Sequence, residues 1–146
     1  MSQRTFDISE YVVALARENG LVEGLKSLDG NVTFHVACHA RAQNMGQKGV
    51  EMLRLLPDTE ITPIERCSGH GGSWGVLKDN FEVALNKGKP VVREAIAAGH
   101  HYLVSECPLA GTHIAQGLEK IETERSAAET VSHPIILFAR AYGITV

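Results

Sequence analysis

Residues 31–38, NVTFHVAC, form a short run of β-branched and aromatic residues that follows an Asp-Gly turn signal and ends in a cysteine. Two later segments repeat this arrangement and also end in cysteines: EITPIERC at 60–67 and HHYLVSEC at 100–107. We predict a strand in each of the three segments. Pro63 lies inside the second segment and lacks a backbone N–H, which predicts either a strand at the edge of a sheet or a bend.

Segments with helical periodicity lie between these predicted strands. In the first helical segment the apolar side chains recur at intervals of three and four residues, and Gly20 ends the segment. Pro90 is predicted to begin one helix and Ser132 to cap the last. The segments predicted as helices are 7–20, 45–57, 75–89, 90–99, 108–121 and 133–143. The polar stretch 122–132 is predicted to be a helix end followed by a loop.

Strands that alternate with helices are typical of a parallel sheet covered by helices. Right-handed crossovers place those helices on the faces of the sheet. The predicted order of elements is α-β-α-β-α-α-β-α-α. We therefore predict an α/β fold, a three-layer Rossmann-like domain with a small parallel sheet flanked by helices. The length of 146 residues favours one domain spanning 1–146.

Composition and charge exclude several functional classes. Apolar residues make up 44% of the chain and charged residues 21%, which is ordinary for a globular domain. The net charge of −3 gives no basic surface for nucleic acid. No apolar run approaches the roughly 18 residues of a membrane span, and the N-terminus lacks the apolar core of a secretory signal. We expect a cytoplasmic protein with unpaired thiols, which reaches a membrane only through a partner.

The three cysteines occupy equivalent places, since Cys38, Cys67 and Cys107 each close a predicted strand. The carboxyl ends of parallel strands share one edge of the sheet, and ligands of open α/β sheets bind at that edge. We therefore expect the three thiols to meet there. The alternative for any one thiol is a buried, small apolar side chain, which is a common role of free cysteine.

The residues that follow the cysteines favour a bound group at this edge. His39 follows the first cysteine, whereas Ser68, Gly69 and His70 follow the second. Glycine lets backbone N–H groups approach a bulky anion, and iron–sulfur clusters often occupy such concavities. His39 and His70 are the candidate nitrogen ligands or proton donors.

Other polar residues near the cysteines are predicted to have structural or charge-balancing roles. His35 precedes Cys38 by three positions. Strand alternation points these two side chains in opposite directions, so we predict a structural role for His35. Arg66 and Glu106 each precede a cysteine and could form an ion pair across the strand ends. Arg41 is a candidate to balance the negative charge of a bound group.

Three motifs, FHVACHARAQNMG, IERCSGHGGSWG and SECPLAGTHIAQGLE, occur in this order and lie within residues 5–119. Together they resemble the C-terminal cysteine-rich, CCG-type domain of iron–sulfur oxidoreductases, a family with members in anaerobic glycerol-3-phosphate dehydrogenase and, more distantly, in heterodisulfide reductase. The resemblance implies that Cys38 is the first family cysteine. It implies that Cys67 and Gly69 belong to the Cys-Cys-Gly motif, and that Cys107 opens the closing Cys-x-x-Cys.

The chain departs from this pattern at Ser68 and Ala110, which stand where the family has cysteines. The resemblance implies an electron-transfer domain with a [4Fe–4S] cluster held by three thiolates. The remaining iron would be open or bound by Ser68, His39 or His70. The ferredoxin-like C-x2-C-x2-C-x3-C segment of relatives is absent from these 146 residues. The resemblance therefore implies a redox partner protein or a ferredoxin-domain subunit.

Other functions remain open at the level of the sequence. Three cysteines and one histidine are a normal ligand set for zinc, which would give the domain a structural or protein-interaction role. Cys67 could instead be the nucleophile of a metal-free thiol enzyme, with His70 as its base. A non-enzymatic interaction module without a cofactor is the last alternative.

Overall fold

The computed structural model describes residues 5–44, 46–121 and 128–146. The strands in these ranges are β1 Val32–His35, β2 Ile61–Ile64, β3 Tyr102–Ser105 and β4 Glu129–Val131. They form one parallel sheet in the order β2-β1-β3-β4. The helices in the same ranges are α1 Ile8–Asn19, α2 Cys38–Ala42, α3 Lys48–Leu53, α4 Phe81–Ala98, α5 Pro108–Ile121 and α6 Pro134–Ala141, with a short 3-10 helix at Trp74–Val76. None of these helices is long and apolar enough to cross a membrane.

The sheet is covered by helices on both faces. Val32, Phe34 and Val104 belong to a buried cluster with side chains of α1, α3 and α6. Ile64 and Leu103 belong to a second buried cluster with side chains of α4 and α5. Each fully buried side chain of this kind stabilises the fold by about 1.5–3 kcal/mol through its removal from water. The three-layer α/β fold predicted from the alternation of strands and helices is confirmed.

The strand that contains the opening sequence, β1, lies in the interior of the sheet. It pairs with β2 on one side and with β3 on the other. The position of β2 at the edge of the described sheet confirms the prediction from Pro63, because a residue without an N–H is tolerated there. The carboxyl ends of β1, β2 and β3 therefore lie side by side, and the chain continues from each of them to a cysteine.

The prediction of two helices over 75–99 is wrong, because α4 runs unbroken through Pro90. Proline lacks the N–H that would bond to the carbonyl of Asn86. Both residues lie on the exposed side of α4, so water can satisfy that carbonyl. On the opposite side, Leu85 and Val91 are buried, and their continuous packing favours one helix over two.

Three shorter features also differ from the sequence-based predictions. The helix α2 has only five residues, too few for a helical period, and was not predicted. The strand β4 was predicted as part of a loop because Glu129 and Thr130 are exposed and polar; residues 122–127 of that same prediction lie outside the described residues. The N-cap of α6 is His133 rather than Ser132, since the His133 ring accepts the N–H of Ile135.

Candidate functional site

The three thiols line one pocket of about 280 Å³ at the carboxyl edge of the sheet. Cys38 is the first residue of α2, Cys67 lies in the loop after β2, and Cys107 lies between β3 and α5. All three are free cysteines, and Cys38 and Cys67 are exposed while Cys107 is half-buried. Three separate parts of the chain thus bring sulfur atoms to one opening at the surface.

Each sulfur atom has a nitrogen atom at hydrogen-bonding distance for sulfur. The pairs are Cys38 Sγ with Arg41 Nη2 at 3.8 Å, Cys67 Sγ with the backbone nitrogen of Gly69 at 3.4 Å, and Cys107 Sγ with His70 Nε2 at 3.8 Å. Arg41 and the backbone N–H of Gly69 can only donate, so each offers a hydrogen bond to the sulfur atom beside it.

His70 is oriented by the loop that carries it. Its Nδ1 lies 3.2 Å from the carbonyl oxygen of Gly72. A carbonyl can only accept a hydrogen bond, so Nδ1 carries the proton and, in the neutral ring, Nε2 keeps a free lone pair. Because Nε2 is the atom that faces Cys107 Sγ, the ring presents an acceptor or metal ligand to the pocket. Metal-binding histidines are commonly held in this way, with the second nitrogen bonded to a backbone carbonyl.

The glycines place this loop directly on the backbone of α4. Gly69 has a φ of +89°, and a Cβ atom there would lie 2.3 Å from the carbonyl oxygen of Ala84. On the helix side, a Cβ at Gly88 would lie 2.4 Å from the carbonyl oxygen of Ser68. Both contacts are with backbone, so a side chain at either glycine would displace the loop. Gly69 thus lies behind the pocket, whereas Gly71 and Gly72 line it.

The other predicted site residues occupy different depths of the pocket. Ser68 is buried in its wall, and His39 lies exposed at its rim. Ala110 also lines the pocket. The two positions at which the chain departs from the family pattern, Ser68 and Ala110, therefore face the same pocket as the three thiols. His113 lies behind His70, with 6.4 Å between the ring centroids, and is buried.

The predicted ion pair between Arg66 and Glu106 is not formed. Arg66 pairs with Glu94 of α4 at 2.8 Å, whereas Glu106 turns inward and accepts the backbone N–H of Gly49 at 3.3 Å. Burial, with a smaller contribution from the charge of Asp7, raises the pKa of Glu106 to about 7. A buried carboxyl group therefore lies directly behind the Cys107 segment, a placement that the sequence did not indicate.

The placement of His35 in the pocket could not be predicted from the sequence. It lines the bottom of the pocket and is 1% exposed. Burial lowers the pKa of His35 below its ordinary value, although the carbonyl group of Arg66 raises it in part. The prediction that His35 and Cys38 point in opposite directions is wrong, since both line the pocket. The strand β1 ends at His35 and Cys38 already belongs to α2, so strand alternation does not extend to the cysteine.

The donor atoms of the described residues do not converge on a single point. Zinc holds its sulfur ligands at about 2.3 Å, so its ligands must converge on a single point. Among the residues that the structure describes, no three histidine, cysteine or acidic side chains are close enough to share one ion. The three thiols instead line one pocket of about 280 Å³, and cysteine sulfur is the usual ligand of iron–sulfur clusters.

Comparison with known proteins gives a consistent result. The chain is 28% identical over 125 residues to a subunit of anaerobic glycerol-3-phosphate dehydrogenase from Escherichia coli K12, covering 85% of this chain and 29% of that protein. It is 31% identical over 124 residues to an iron–sulfur protein of Methanocaldococcus jannaschii, covering 84% and 24%. It is 26% identical over 146 residues to a subunit of dihydromethanophenazine:CoB–CoM heterodisulfide reductase from Methanosarcina acetivorans, covering 95% and 34%.

These relatives are much longer than the region they share with this protein, since the chain spans about a quarter to a third of their length. No solved structure gives a significant match. The cysteine-rich domain family known as CCG matches residues 32–115, a range that begins with β1 and includes all three cysteines and the glycine-rich loop. With more than half of the sequence matched and the thiols gathered in one pocket, this chain belongs to the CCG cysteine-rich domain family.

Proposed function

We propose that this chain is an iron–sulfur redox domain that exchanges electrons with a partner subunit. The observation that carries the proposal is the convergence of Cys38, Cys67 and Cys107 on one pocket inside the region that matches the family. The names of the relatives support the proposal, because they are iron–sulfur proteins and subunits of oxidoreductases. We further propose that residues 1–146 form one domain of this kind.

The proposed cofactor is a [4Fe–4S] cluster ligated by the three thiolates. Such a cluster, when bound, supplies one-electron transfer. Four cysteines are the usual ligand set, so three thiolates leave one iron for another ligand or for solvent. Among Ser68, His39 and His70, the geometry favours His70, because its Nε2 lone pair faces the pocket at the Cys107 side.

The surrounding residues have distinct tasks in this proposal. The guanidinium group of Arg41 balances charge at Cys38, and the backbone N–H of Gly69 donates to Cys67. Hydrogen bonds to sulfur and local charge are among the factors that set the potential of an iron–sulfur centre. Gly71 and Gly72 keep the wall of the pocket free of side chains, so a cluster could approach the backbone closely.

A partner is part of the proposed function. The relatives include subunits of anaerobic glycerol-3-phosphate dehydrogenase and of heterodisulfide reductase. Cys38 and Cys67 are exposed, so a cluster held there would lie near the surface, where a redox partner protein or a ferredoxin-domain subunit could dock. The free thiols support a location in the cytoplasm, where thiols stay reduced, with any membrane association made through that partner.

The ligand assignment is tested by the substitution Cys67→Ser in protein purified without oxygen. We expect this change to remove most of the bound iron, because the serine hydroxyl is a much poorer ligand for iron than a thiolate. Ser73→Ala is the matched control, since Ser73 lies in the same exposed loop but does not line the pocket. Iron content measured on both variants gives the answer.

Two results would count against this assignment. Full iron retention in the Cys67→Ser variant would remove Cys67 from the ligand set. The second result is zinc instead of iron in the unmodified protein, with the zinc lost from the Cys67→Ser variant. It would favour the zinc alternative with a structural or protein-interaction role.

A further inference from the structure

His35 makes one hydrogen bond through each nitrogen of its buried ring. Nδ1 lies 2.9 Å from Ser105 Oγ, and Nε2 lies 2.9 Å from the carbonyl oxygen of Arg66. The two partners are on opposite sides of β1, because Ser105 ends β3 and Arg66 lies just beyond β2. The ring therefore joins three neighbouring strand ends below the pocket.

The directions of these hydrogen bonds follow from the chemistry of the partners. The carbonyl of Arg66 can only accept, so the proton of the ring is on Nε2. Burial lowers the pKa of His35, which keeps the ring neutral and leaves Nδ1 as an acceptor. Ser105 therefore donates its hydroxyl hydrogen to Nδ1. Its oxygen accepts in turn the backbone N–H of Cys107 at 3.1 Å.

The result is a directed chain of three hydrogen bonds between the segments of two cysteines. It runs from the N–H of Cys107 to Ser105, from Ser105 to His35, and from His35 to the carbonyl of Arg66, the residue before Cys67. His35 is the last residue of β1 that pairs with both neighbouring strands. It lies opposite Ile64 of β2 and Ser105 of β3. The side chain thus extends the connection between the strands beyond the end of the sheet, toward the thiols.

We propose that His35 and Ser105 are positioning residues that fix the Cys67 and Cys107 segments relative to each other before any cofactor binds. This assignment rests on the proposed function, because positioning the thiols serves a purpose only if the pocket binds a cofactor. Neither residue ligates the cofactor. Their task is to hold two of the three thiol-bearing segments at one spacing, so that little ordering of the backbone is needed when the pocket is filled.

Amide hydrogen exchange on the metal-free chain of 146 residues tests the proposal. Ser105→Ala removes the hydroxyl that serves both the Cys107 N–H and His35, whereas Ser105→Thr retains it and is the matched control. Loss of a buried hydrogen bond corresponds to about a tenfold change in an opening equilibrium. We expect exchange to rise about tenfold at Cys107 and also over residues 65–69 in Ser105→Ala, and to stay near the wild-type rate in Ser105→Thr.

The distant loop is the informative readout. The Ser105 hydroxyl bonds to the Cys107 N–H and to His35, and it is His35 that bonds to Arg66, so faster exchange over residues 65–69 requires transmission through His35. An increase confined to Cys107, or no difference between Ser105→Ala and Ser105→Thr, would overturn the proposal. A second pair of variants guards against misfolding: His35→Gln offers a donor and an acceptor and is expected to keep both segments protected, whereas His35→Leu is expected to expose both.

Failure of this proposal is distinguishable from failure of the proposed function. The exchange experiment contains no metal, so its outcome does not depend on whether the chain binds iron. In protein purified without oxygen, the electron paramagnetic resonance spectrum of the reduced centre gives a second readout. We expect Ser105→Ala to shift or broaden that spectrum and Ser105→Thr to leave it unchanged; identical spectra from both variants would contradict the positioning role.

Discussion

At the scale of single residues, the main feature of the pocket is that each thiol has its own nitrogen neighbour. Those neighbours differ in kind: a guanidinium group at Cys38, a backbone N–H at Cys67 and an imidazole at Cys107. The imidazole is the one that can also act as a ligand, because its other nitrogen is occupied by the carbonyl of Gly72. We therefore expect His70 and His39 to differ in function, although both line the pocket.

The substitutions His70→Ala and His39→Ala distinguish the roles of the two histidines. We expect His70→Ala to weaken retention of the bound metal by about tenfold or more, as for loss of a ligand or of a hydrogen bond close to a metal. His39 is exposed at the rim of the pocket, so we expect His39→Ala to retain the metal. Metal release to a chelator, followed over time, measures the difference; equal release from the two variants would contradict the special position of His70.

At the scale of secondary-structure elements, the close approach of the glycine-rich loop to α4 predicts the effect of two alanine substitutions. Alanine at Gly88 would place a Cβ 2.4 Å from the backbone oxygen of Ser68, whereas the nearest atom at Gly111 in α5 is Ser105 Cβ at 3.7 Å. We expect Gly88→Ala to destabilise the metal-free protein by about 1–3 kcal/mol, in spite of its better helix propensity.

Gly111→Ala is the matched control for this prediction. It adds the same methyl group inside a helix without a close contact, so we expect it to stabilise the protein by about 0.5–1 kcal/mol. Urea unfolding of both variants measures the two free energies. If Gly88→Ala were also stabilising, the loop would not be packed against α4 as described.

The N-terminus of α6 predicts a dependence of stability on pH. His133 accepts the N–H of Ile135 through Nδ1, and burial lowers the pKa of His133 in the folded protein. The unfolded chain takes up this proton near the ordinary value of about 6.5, whereas the folded chain resists it. The unfolded state therefore binds more protons below that pH, and the free energy of unfolding falls as the pH is lowered.

The substitution His133→Asn isolates this contribution. Asparagine is also a good N-cap and does not titrate in this range. We expect wild-type stability to fall relative to the His133→Asn variant by about 1 kcal/mol between pH 7 and pH 5, the usual size of a capping interaction. Urea unfolding at several pH values measures the difference. A constant difference across this range would show that His133 does not titrate with folding.

Most elements were predictable where the sequence carries a period or a clear boundary. Each of β1, β2 and β3 is a short β-rich run that leads to a cysteine, and α5 begins at a proline. The features that escaped prediction lack such a signal: α2 is too short for a period, β4 is exposed and polar, and Pro90 lies inside a helix. The His35 interactions span 31 and 70 positions along the sequence, so no local pattern could reveal them.

At the scale of the whole molecule, the parallel sheet explains why residues far apart in sequence share one pocket. Parallel pairing aligns the carboxyl ends of β1, β2 and β3, and each of these strands is followed by one of the three thiols. The helices cover both faces of the sheet, while Cys38 and Cys67 at this edge stay exposed. The third thiol is followed by α5, whose first residues close the pocket through Ala110.

The central claim, that this pocket holds an iron–sulfur cluster, is tested most directly by one measurement. Iron, zinc and acid-labile sulfide are determined in the unmodified chain purified without oxygen, together with its visible absorbance. We predict about four iron and four sulfide per chain with broad visible absorbance, the composition of a [4Fe–4S] cluster. Zinc alone, or protein without metal and sulfide, would contradict the claim.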